Sequence, residues 1–355
     1  MKLTEMFDAK AVAIQWTDSS ANAPYLGARL FPSKKKMGLD LKHIRGHKKL
    51  GVSLMPSNFD AKSTLRTREK IKMFENEMAF FRESMLVKEA DEQEMMRVQN
   101  SEDPYAQEVL DRIYDDVNTL LVGANIVPER MRMQLLCPNM DGSPRILITA
   151  DDVQYSYNYD VDGSYVENNY KALSGTSAWS DHENADPIAD LAAAKEALKA
   201  LNGSVPARVL MNSVTLNHIK KCAKVREYVL AQNVSANVMM NDARVKELIS
   251  TEVGLQVIVN DDLFRDENGE TQKFYQDGFA TLLPSGALGS TWYGVTPEER
   301  TLRGSGEANV TLVNTGVAVA VKITEDPVNT KTTVSEIVLP SFERMDETYV
   351  LKVLE

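Results

Sequence analysis

Histidines and clustered carboxylates are the side chains in this 355-residue sequence that could perform chemistry, and few of them are suitably spaced. His43 and His47 are four residues apart, but their glycine- and lysine-rich segment has no carboxylate partner. His182 lies beside Asp181 and Glu183, a set of ligands that could hold a divalent cation only weakly. Because acidic loop residues are usually just hydrated, we predict no metal site.

The segment 160–163 (Asp-Val-Asp-Gly) is similar to the beginning of a calcium-binding loop, but the acidic ligand that ends such a loop is missing at the required spacing. A phosphate-binding glycine loop, a nucleophile elbow and a Ser-His-Asp order are also missing from the sequence. We therefore predict no catalytic residue and no cofactor. The enzyme hypothesis that stays open is a metal-dependent hydrolase that uses Asp160, Asp162, Asp181 and Asp186.

The composition limits the classes of partner. The net charge of −11 argues against a protein that coats nucleic acid, since phosphate binding needs clustered lysine and arginine. The two cysteines, Cys137 and Cys222, are far apart in sequence, as in proteins of a reducing compartment. The first residues do not form a signal peptide, and no apolar run approaches the roughly 20 residues that span a bilayer. We expect a cytosolic protein without a membrane partner.

The first 60 residues do not resemble the start of a compact domain, because apolar residues are sparse and prolines at 24, 32 and 56 interrupt any long helix. Between residues 29 and 49, eight basic residues stand against one acid, Asp40. These bases are Arg29, Lys34, Lys35, Lys36, Lys42, Arg45, Lys48 and Lys49. We interpret the segment either as a hydrated loop or as an extended arm that lies on an acidic partner surface.

Two segments have the periodicity of amphipathic helices. The first is defined by apolar residues three and four positions apart, namely Ile71, Phe74, Met78, Phe81 and Met85. The second begins at Asp103-Pro104, a favourable N-cap followed by a favourable first helical residue. Its apolar stripe predicts a helix of about 24 residues that ends between Gly123 and Pro128.

The outer face of this second helix is acidic, since residues 89–116 contain ten acids and two bases. That face is either hydrated or the partner of the basic arm. We expect the apolar stripe, which includes Val109, Ile113, Val117, Leu120 and Leu121, to pack against the strands that contain Tyr155 and Tyr157.

The rest of the chain alternates strands and helices. Apolar alternation predicts strands at 146–149 and 153–159, and Asp186-Pro187 begins a helix that Gly203 ends. Further predicted helices span 216–230 and 241–252, and further strands span 207–211, 255–259, 310–323 and 349–354. Asn268-Gly269 predicts a type I′ hairpin turn. The predicted class is α+β with antiparallel sheets.

Residues 25–35 (Tyr-Leu-Gly-Ala-Arg-Leu-Phe-Pro-Ser-Lys-Lys) resemble the N-terminal signature of the lambda-type (E-type) major capsid proteins of tailed bacteriophages and prophages. In the same order as in that family, the helix at Asp103-Pro104 resembles its spine helix, and residues 255–298 resemble its strand, hairpin and flat loop. Residues 340–354 resemble its closing segment. The resemblance therefore covers nearly the whole chain.

The resemblance implies the Hong Kong ninety-seven capsid fold. The implied parts are an N-terminal arm (1–35), an extended loop (36–88), a peripheral domain (89–165) with a spine helix at about 104–136, an axial domain with adjoining strands (166–335), and a C-terminal strand that returns to the peripheral domain (336–355). Residues 66–88 would then be a strand of the extended loop, against their helical periodicity, and we adopt the strand.

The family implies a major capsid protein that assembles into hexamers and pentamers of an icosahedral shell. The shell would enclose double-stranded DNA without sequence-specific binding, in a virion assembled in the host cytoplasm. Expected partners are other copies of the chain, a separate scaffold or protease, a portal and a decoration protein. A related non-viral shell, such as an encapsulin-like compartment or a gene-transfer particle, is the alternative.

We expect residues 1–35 to serve assembly rather than folding, with Phe31 docked onto a neighbouring subunit. The residues for which we predict contacts between subunits are Leu30, Phe31, Lys42, Arg45, Lys49, Asp111 and Asp115.

Overall fold

The computed structural model describes residues 9–18, 24–44, 73–90, 93, 105–138, 141–150, 153–232, 240–306, 308–325 and 328–354. For some of them, including residues 105–117, only the backbone is described. The chain divides into two compact units. The first unit comprises residues 1–41, 75–132 and 289–341, and the second comprises residues 42–74, 133–288 and 342–355.

The chain contains both helices and strands. The helices are α1 (Ala9–Asp18), α2 (Leu26–Leu30), α3 (Tyr105–Leu136), α4 (Ser164–Asn169), α5 (Pro187–Asn202), α6 (Ser213–Lys221), α7 (Ala223–Gln232) and α8 (Asp242–Glu252). None of these described helices is both long enough and apolar enough to cross a bilayer.

The strands are β1 (Ser33–Lys35), β2 (Asp40–Ile44), β3 (Met73–Glu77), β4 (Ala79–Val87), β5 (Arg145–Ala150), β6 (Val153–Asn158), β7 (Tyr170–Ala172), β8 (Arg208–Met211), β9 (Gln256–Val259), β10 (Leu263–Arg265), β11 (Thr271–Lys273), β12 (Phe279–Leu283), β13 (Ser290–Tyr293), β14 (Asn309–Val313), β15 (Val317–Glu325), β16 (Val328–Ser341) and β17 (Tyr349–Lys352).

The first unit contains a six-stranded sheet in the order β1-β13-β16-β15-β14, and β4 also pairs with β16. β16 organises this sheet, because its 14 residues pair with β15 as well as with β4 and β13. On β15, Val317, Val319 and Val321 alternate with smaller or polar residues. The period of two therefore places these valines on one apolar face.

The core of the first unit lies between this face and two helices. α1 presents Ala9, Val12 and Trp16, whose spacing of three and four residues places them on one side of the helix. The buried cluster consists of Ala9, Val12, Trp16, Leu120, Leu121, Ala124, Val313, Val317, Val319, Val321 and Val334. We expected the apolar stripe of α3 to pack on the strands that contain Tyr155 and Tyr157, and for Leu120 and Leu121 this prediction is wrong. The side chains of the other three stripe residues are not among those that the structure describes.

α3 is longer than its apolar stripe predicted. It continues through Gly123 and Pro128 and ends at Leu136, after 32 residues. A proline inside a helix removes one backbone hydrogen bond and costs about 3 kcal/mol. The burial of Met131, Met133, Leu135 and Leu136 beyond the proline offsets that cost. The end of the helix near residue 136, which the family resemblance implied, is correct. The predicted N-cap at Asp103-Pro104 lies outside the described residues.

Residues 73–87 are strands, not a helix. β4 pairs with β16 along nine residues, from Ala79 opposite Val338 to Val87 opposite Thr330. The helical periodicity was therefore misleading, and the strand adopted from the family is correct over this range. Ile71 and the rest of residues 66–72 lie outside the described residues.

The second unit contains a five-stranded sheet in the order β7-β17-β12-β8-β9. Helices α5, α6 and α8 contribute to its core, in which Leu191, Val209 and Ile249 are fully buried. The predicted caps of α5 are confirmed, because Asp186 accepts a hydrogen bond from the Ala189 N–H at 3.1 Å and Gly203 ends the helix with φ of 72°.

Three local predictions need correction. The helix predicted at 216–230 is two helices, α6 and α7. The strand predicted at 310–323 is interrupted after Val313 by a turn in which Asn314 has φ of 52°. The type I′ turn predicted for the β10–β11 hairpin is also wrong, because such a turn needs two residues with positive φ and only Gly269 has one. In this turn the Asp266 carboxylate accepts hydrogen bonds from the N–H groups of Asn268 and Glu270.

The boundaries of the named domains stay a prediction. Each compact unit combines segments that are distant in sequence, whereas the predicted parts are continuous ranges. β17 lies in the sheet of the second unit, where it pairs with β7 and β12.

Candidate functional site

The acids of the hydrolase alternative cap local structure. Asp160 accepts hydrogen bonds from the N–H groups of Tyr165 and Val166 at 2.9 and 3.1 Å, at the beginning of α4. Asp181 accepts from the backbone of Glu183 and Asn184, and the Asn184 side-chain hydrogen bond lowers the pKa of Asp181. The described residues contain no group of three or more His, Cys, Asp or Glu side chains that could hold a metal ion.

The two cysteines are also poorly suited to chemistry. Cys137 and Cys222 are both buried and free. Desolvation raises the pKa of the Cys137 thiol to about 12 and that of the Cys222 thiol to about 11. Both are therefore protonated at neutral pH, whereas a nucleophilic cysteine needs its thiolate.

The N-terminal arm is attached to α3 at Gly27. The Gly27 N–H donates a hydrogen bond to Oε1 of Glu129 at 2.7 Å. A Cβ added at Gly27 would lie 2.5 Å from Oε2 of the same carboxylate, so a larger residue would force the two apart. Glycine within the signature at residues 25–35 is thus required by the close approach of the arm to α3.

Arg132 extends this attachment to the sheet. Its Nη1 donates to Glu129 Oε2 at 3.1 Å, and its Nε donates to Thr291 Oγ1 on β13 at 2.9 Å. The Thr291 hydroxyl in turn donates to the carbonyl of Phe31 at 3.0 Å. Arg132 and Glu129 are only 3% and 1% exposed, so water does not compete for this ion pair.

The arm is therefore part of its own subunit, which corrects two predicted contacts. Leu30 and Phe31 are 1% and 0% exposed within the chain, so neither is available to a neighbouring subunit in this structure. The physical reason is that α2 ends at Leu30 and β1 then pairs with β13, which directs both side chains inward. Two arm lysines also bind locally: Lys35 forms an ion pair with Glu299 at 2.6 Å, and Lys34 lies 5.3 Å from the ring centre of Trp292.

The other predicted contact residues are not brought together by the described structure. Lys42 lies on β2 with an exposed side chain. Arg45 and Lys49 lie outside the described residues, and Asp111 and Asp115 lie on the part of α3 that is described by its backbone alone. The pairing of these charges stays a prediction.

The described part of the first unit exposes large apolar side chains at one end of its sheet, a feature that the sequence analysis missed. Leu86, Ile323 and Val328 are 52%, 53% and 47% exposed. They lie near one end of the sheet but on both of its faces. Leu86 is in one cross-strand row with Lys331 and Lys322, whereas Ile323 is in the next row, opposite Thr330, and shares the other face with Val328. We call the end of the sheet that carries Leu86, Lys322, Ile323, Val328 and Lys331 the sheet end.

Glu336 is an anomaly in the interior of the same sheet. It lies on β16, is 1% exposed, and neither carboxylate oxygen has a hydrogen-bond partner within the described part of the chain. Burial raises the pKa of Glu336 well above its usual range, and the charge of Arg132 opposes this shift only in part. Arg132 already binds Glu129, so the interior of the folded subunit favours the protonated form of Glu336.

Comparisons with known proteins point to one family. The sequence profile described as phage major capsid protein E matches residues 8–353. The putative capsid protein of an Escherichia coli CFT073 prophage is similar in structure, with a TM-score of 0.60 at 13% identity over 98% of this chain and 99% of that chain.

Two other solved structures are similar at the same level. A phage-related protein from Bordetella bronchiseptica RB50 has a TM-score of 0.53 at 14% identity over 97% of both chains. The mature capsid protein of bacteriophage PhiM1 has a TM-score of 0.50 at 10% identity over 94% of this chain and 89% of that chain. At such identities the likeness establishes a shared fold. No curated protein matches the sequence.

Proposed function

Because the chain belongs to the phage major capsid protein E family and has the Hong Kong ninety-seven capsid fold, we propose that its subunits form hexamers and pentamers that close into an icosahedral shell around double-stranded DNA. The observation that carries this proposal is the extent of the family match, from residue 8 to residue 353. The protein acts as a structural component, and we assign it no catalysis.

The sheet end is the described surface that best fits a contact with a second copy of the chain. Exposed apolar area costs about 25 cal/mol per Å², and adjacent large apolar side chains typically mark an interaction site. Lys322 and Lys331 are exposed in the same cross-strand row as Leu86. Since the chain carries a net charge of −11, a neighbouring subunit offers the acidic surface that these lysines would face.

A second charged contact would set the register of neighbouring subunits. The basic residues Lys42, Arg45 and Lys49 of one subunit would face the acids Asp111 and Asp115 of another. Complementary charges of this kind mainly determine orientation and specificity, not raw affinity. The acidic net charge also keeps the packaged DNA from adhering to the shell, since like charges repel.

The remaining partners follow from the role of a shell subunit. We propose that assembly takes place in the host cytoplasm, with a separate scaffold or protease, on a portal, and with a decoration protein on the finished shell. DNA is enclosed without recognition of its sequence.

The sheet end can be tested without disturbing the fold. We expect the double substitution Leu86→Asp and Ile323→Asp to leave the melting temperature of the subunit nearly unchanged, because both side chains are already half exposed. Shell formation with the scaffold co-expressed should be lost, because the two new carboxylates would replace apolar side chains and face the acidic surface proposed for the neighbouring subunit. Sucrose-gradient sedimentation and negative-stain microscopy measure the fraction of subunits in particles.

The matched control is Val205→Asp. Val205 is 53% exposed but belongs to the second unit, away from the sheet end in sequence and in pairing. It should assemble as the wild type does. If the double variant also assembles normally, the sheet end is not a contact between subunits.

A further inference from the structure

Two of the four histidines meet in the second unit although they are 36 residues apart in sequence. His182 lies in the loop before α5, and His218 lies on α6. Nε2 of His182 is 3.1 Å from Nδ1 of His218, and the ring centres are 5.2 Å apart. Both side chains are half-buried, so the pair is partly screened from water but reachable from the surface.

The environment of His218 prepares its ring to act as a ligand. Nδ1 of His218 faces Nε2 of His182, so a ligand between the two rings would meet one nitrogen of each. The ring also forms a hydrogen bond with the backbone of Trp179. In the tautomer with its proton on Nε2, the lone pair on Nδ1 faces His182. Proteins orient metal-binding imidazoles by the same kind of second hydrogen bond.

The distances between the rings fit a shared cation. Two imidazole nitrogens about 2.05 Å from a tetrahedral metal ion lie about 3.3 Å apart, with ring centres about 5.2 Å apart. The observed separations are 3.1 Å and 5.2 Å. A cation would lie to one side of the line between the two nitrogens, where the shared proton now lies. Each ring would therefore turn toward the ion, while the separation of the two nitrogens would change by only a few tenths of an ångström.

We propose that His182 and His218 form a two-histidine clip for a late first-row divalent cation, with water completing its coordination. A pair of imidazoles binds Cu²⁺ more tightly than it binds Zn²⁺ or Ni²⁺. The described residues supply no third His, Cys or carboxylate ligand, so the site is open and exchangeable. A bound ion would connect the loop before α5 to α6 within one subunit.

The test uses the full-length chain and Ni²⁺ or Cu²⁺ as the probe. Isothermal titration calorimetry should show one equivalent of Ni²⁺ per subunit, and the electron paramagnetic resonance spectrum of bound Cu²⁺ should show two nitrogen ligands. The single variants His182→Gln and His218→Asn should each weaken Ni²⁺ binding about tenfold or more, because each removes one of two ligands. These replacements keep a polar group near the position of the lost nitrogen, and circular dichroism checks that they fold.

The control is the double variant His43→Asn and His47→Asn, which removes the other two histidines of the chain. It should bind Ni²⁺ as tightly as the wild type does. The proposal is overturned if the wild type takes up no stoichiometric ion, if binding survives in folded His182→Gln and His218→Asn, or if the loss follows His43 and His47. In those cases the pair is only a hydrogen bond with one shared proton.

Discussion

Replacing Trp16 with alanine is expected to lower the free energy of unfolding by about 3–5 kcal/mol, as typical for a large aromatic side chain removed from a core. Trp16 is 0% exposed and packs with Leu120 and Leu121 against the valines of β15. Urea denaturation monitored by circular dichroism measures the change. The loss should be visible in the isolated subunit, because the contacts lie within one chain.

The control for this substitution is Ile14→Ala on the same helix. Ile14 is 56% exposed, so its truncation should change the stability by no more than about 0.5 kcal/mol. Removal of residues 1–31 should have a larger effect than Trp16→Ala, since it also deletes Leu30 and Phe31 from the core. If the truncated chain remains soluble and melts at the wild-type temperature, the arm serves assembly alone and the packing described for α1 is wrong.

Replacing Glu336 with glutamine is expected to stabilise the subunit at neutral pH. The ordinary pKa of glutamate is 4.5, and burial raises the pKa of Glu336 in the folded chain well above that value. Below pH 4.5 the acid is neutral in both states and causes no penalty. Above pH 4.5, Glu336 ionises in the unfolded chain but not in the folded one. The free energy of unfolding therefore falls by about 1.4 kcal/mol per pH unit, until the pH reaches the pKa of Glu336 in the folded chain.

The advantage of Glu336→Gln over the wild type should therefore be near zero at pH 4.5 and grow with pH. Glu336→Leu should be more stable than Glu336→Gln at every pH, because leucine also removes the two unpartnered oxygens from the interior. Glu83→Gln on the neighbouring strand β4 is the control, since Glu83 is exposed. Denaturant midpoints at several pH values give the comparison. A variant that is less stable than the wild type to the same extent at pH 5 and pH 8 would show that Glu336 has a partner in solution.

Local signals in the sequence were sufficient where neighbouring residues determine the structure. Asp186 and Gly203 mark the ends of α5, because a side-chain cap and a left-handed backbone both act within a few residues. The hairpin of β5 and β6 followed from simple alternation of apolar and polar residues. The family resemblance supplied the length of α3 beyond Pro128 and the strand at 73–87, which periodicity alone would have missed.

The attachment of the arm was not visible in the sequence, because its partners are distant along the chain. The Gly27 N–H and the Glu129 carboxylate are 102 residues apart, and Arg132 and Thr291 are 159 residues apart. β4 shows the same limit, since its partner strand β16 follows some 250 residues later and its own burial pattern does not alternate. A signal did exist for α1, in the spacing of Ala9, Val12 and Trp16.

The measurement that tests the central claim most directly is electron cryomicroscopy of the chain expressed together with the scaffold proposed above. A shell subunit of the phage major capsid protein E family should yield closed particles in which hexamers and pentamers of this chain are arranged with icosahedral symmetry. In the reconstructed shell, the sheet end should be covered by a second copy of the chain. A chain that stays monomeric at every protein and salt concentration, even with the scaffold present, would contradict the assignment.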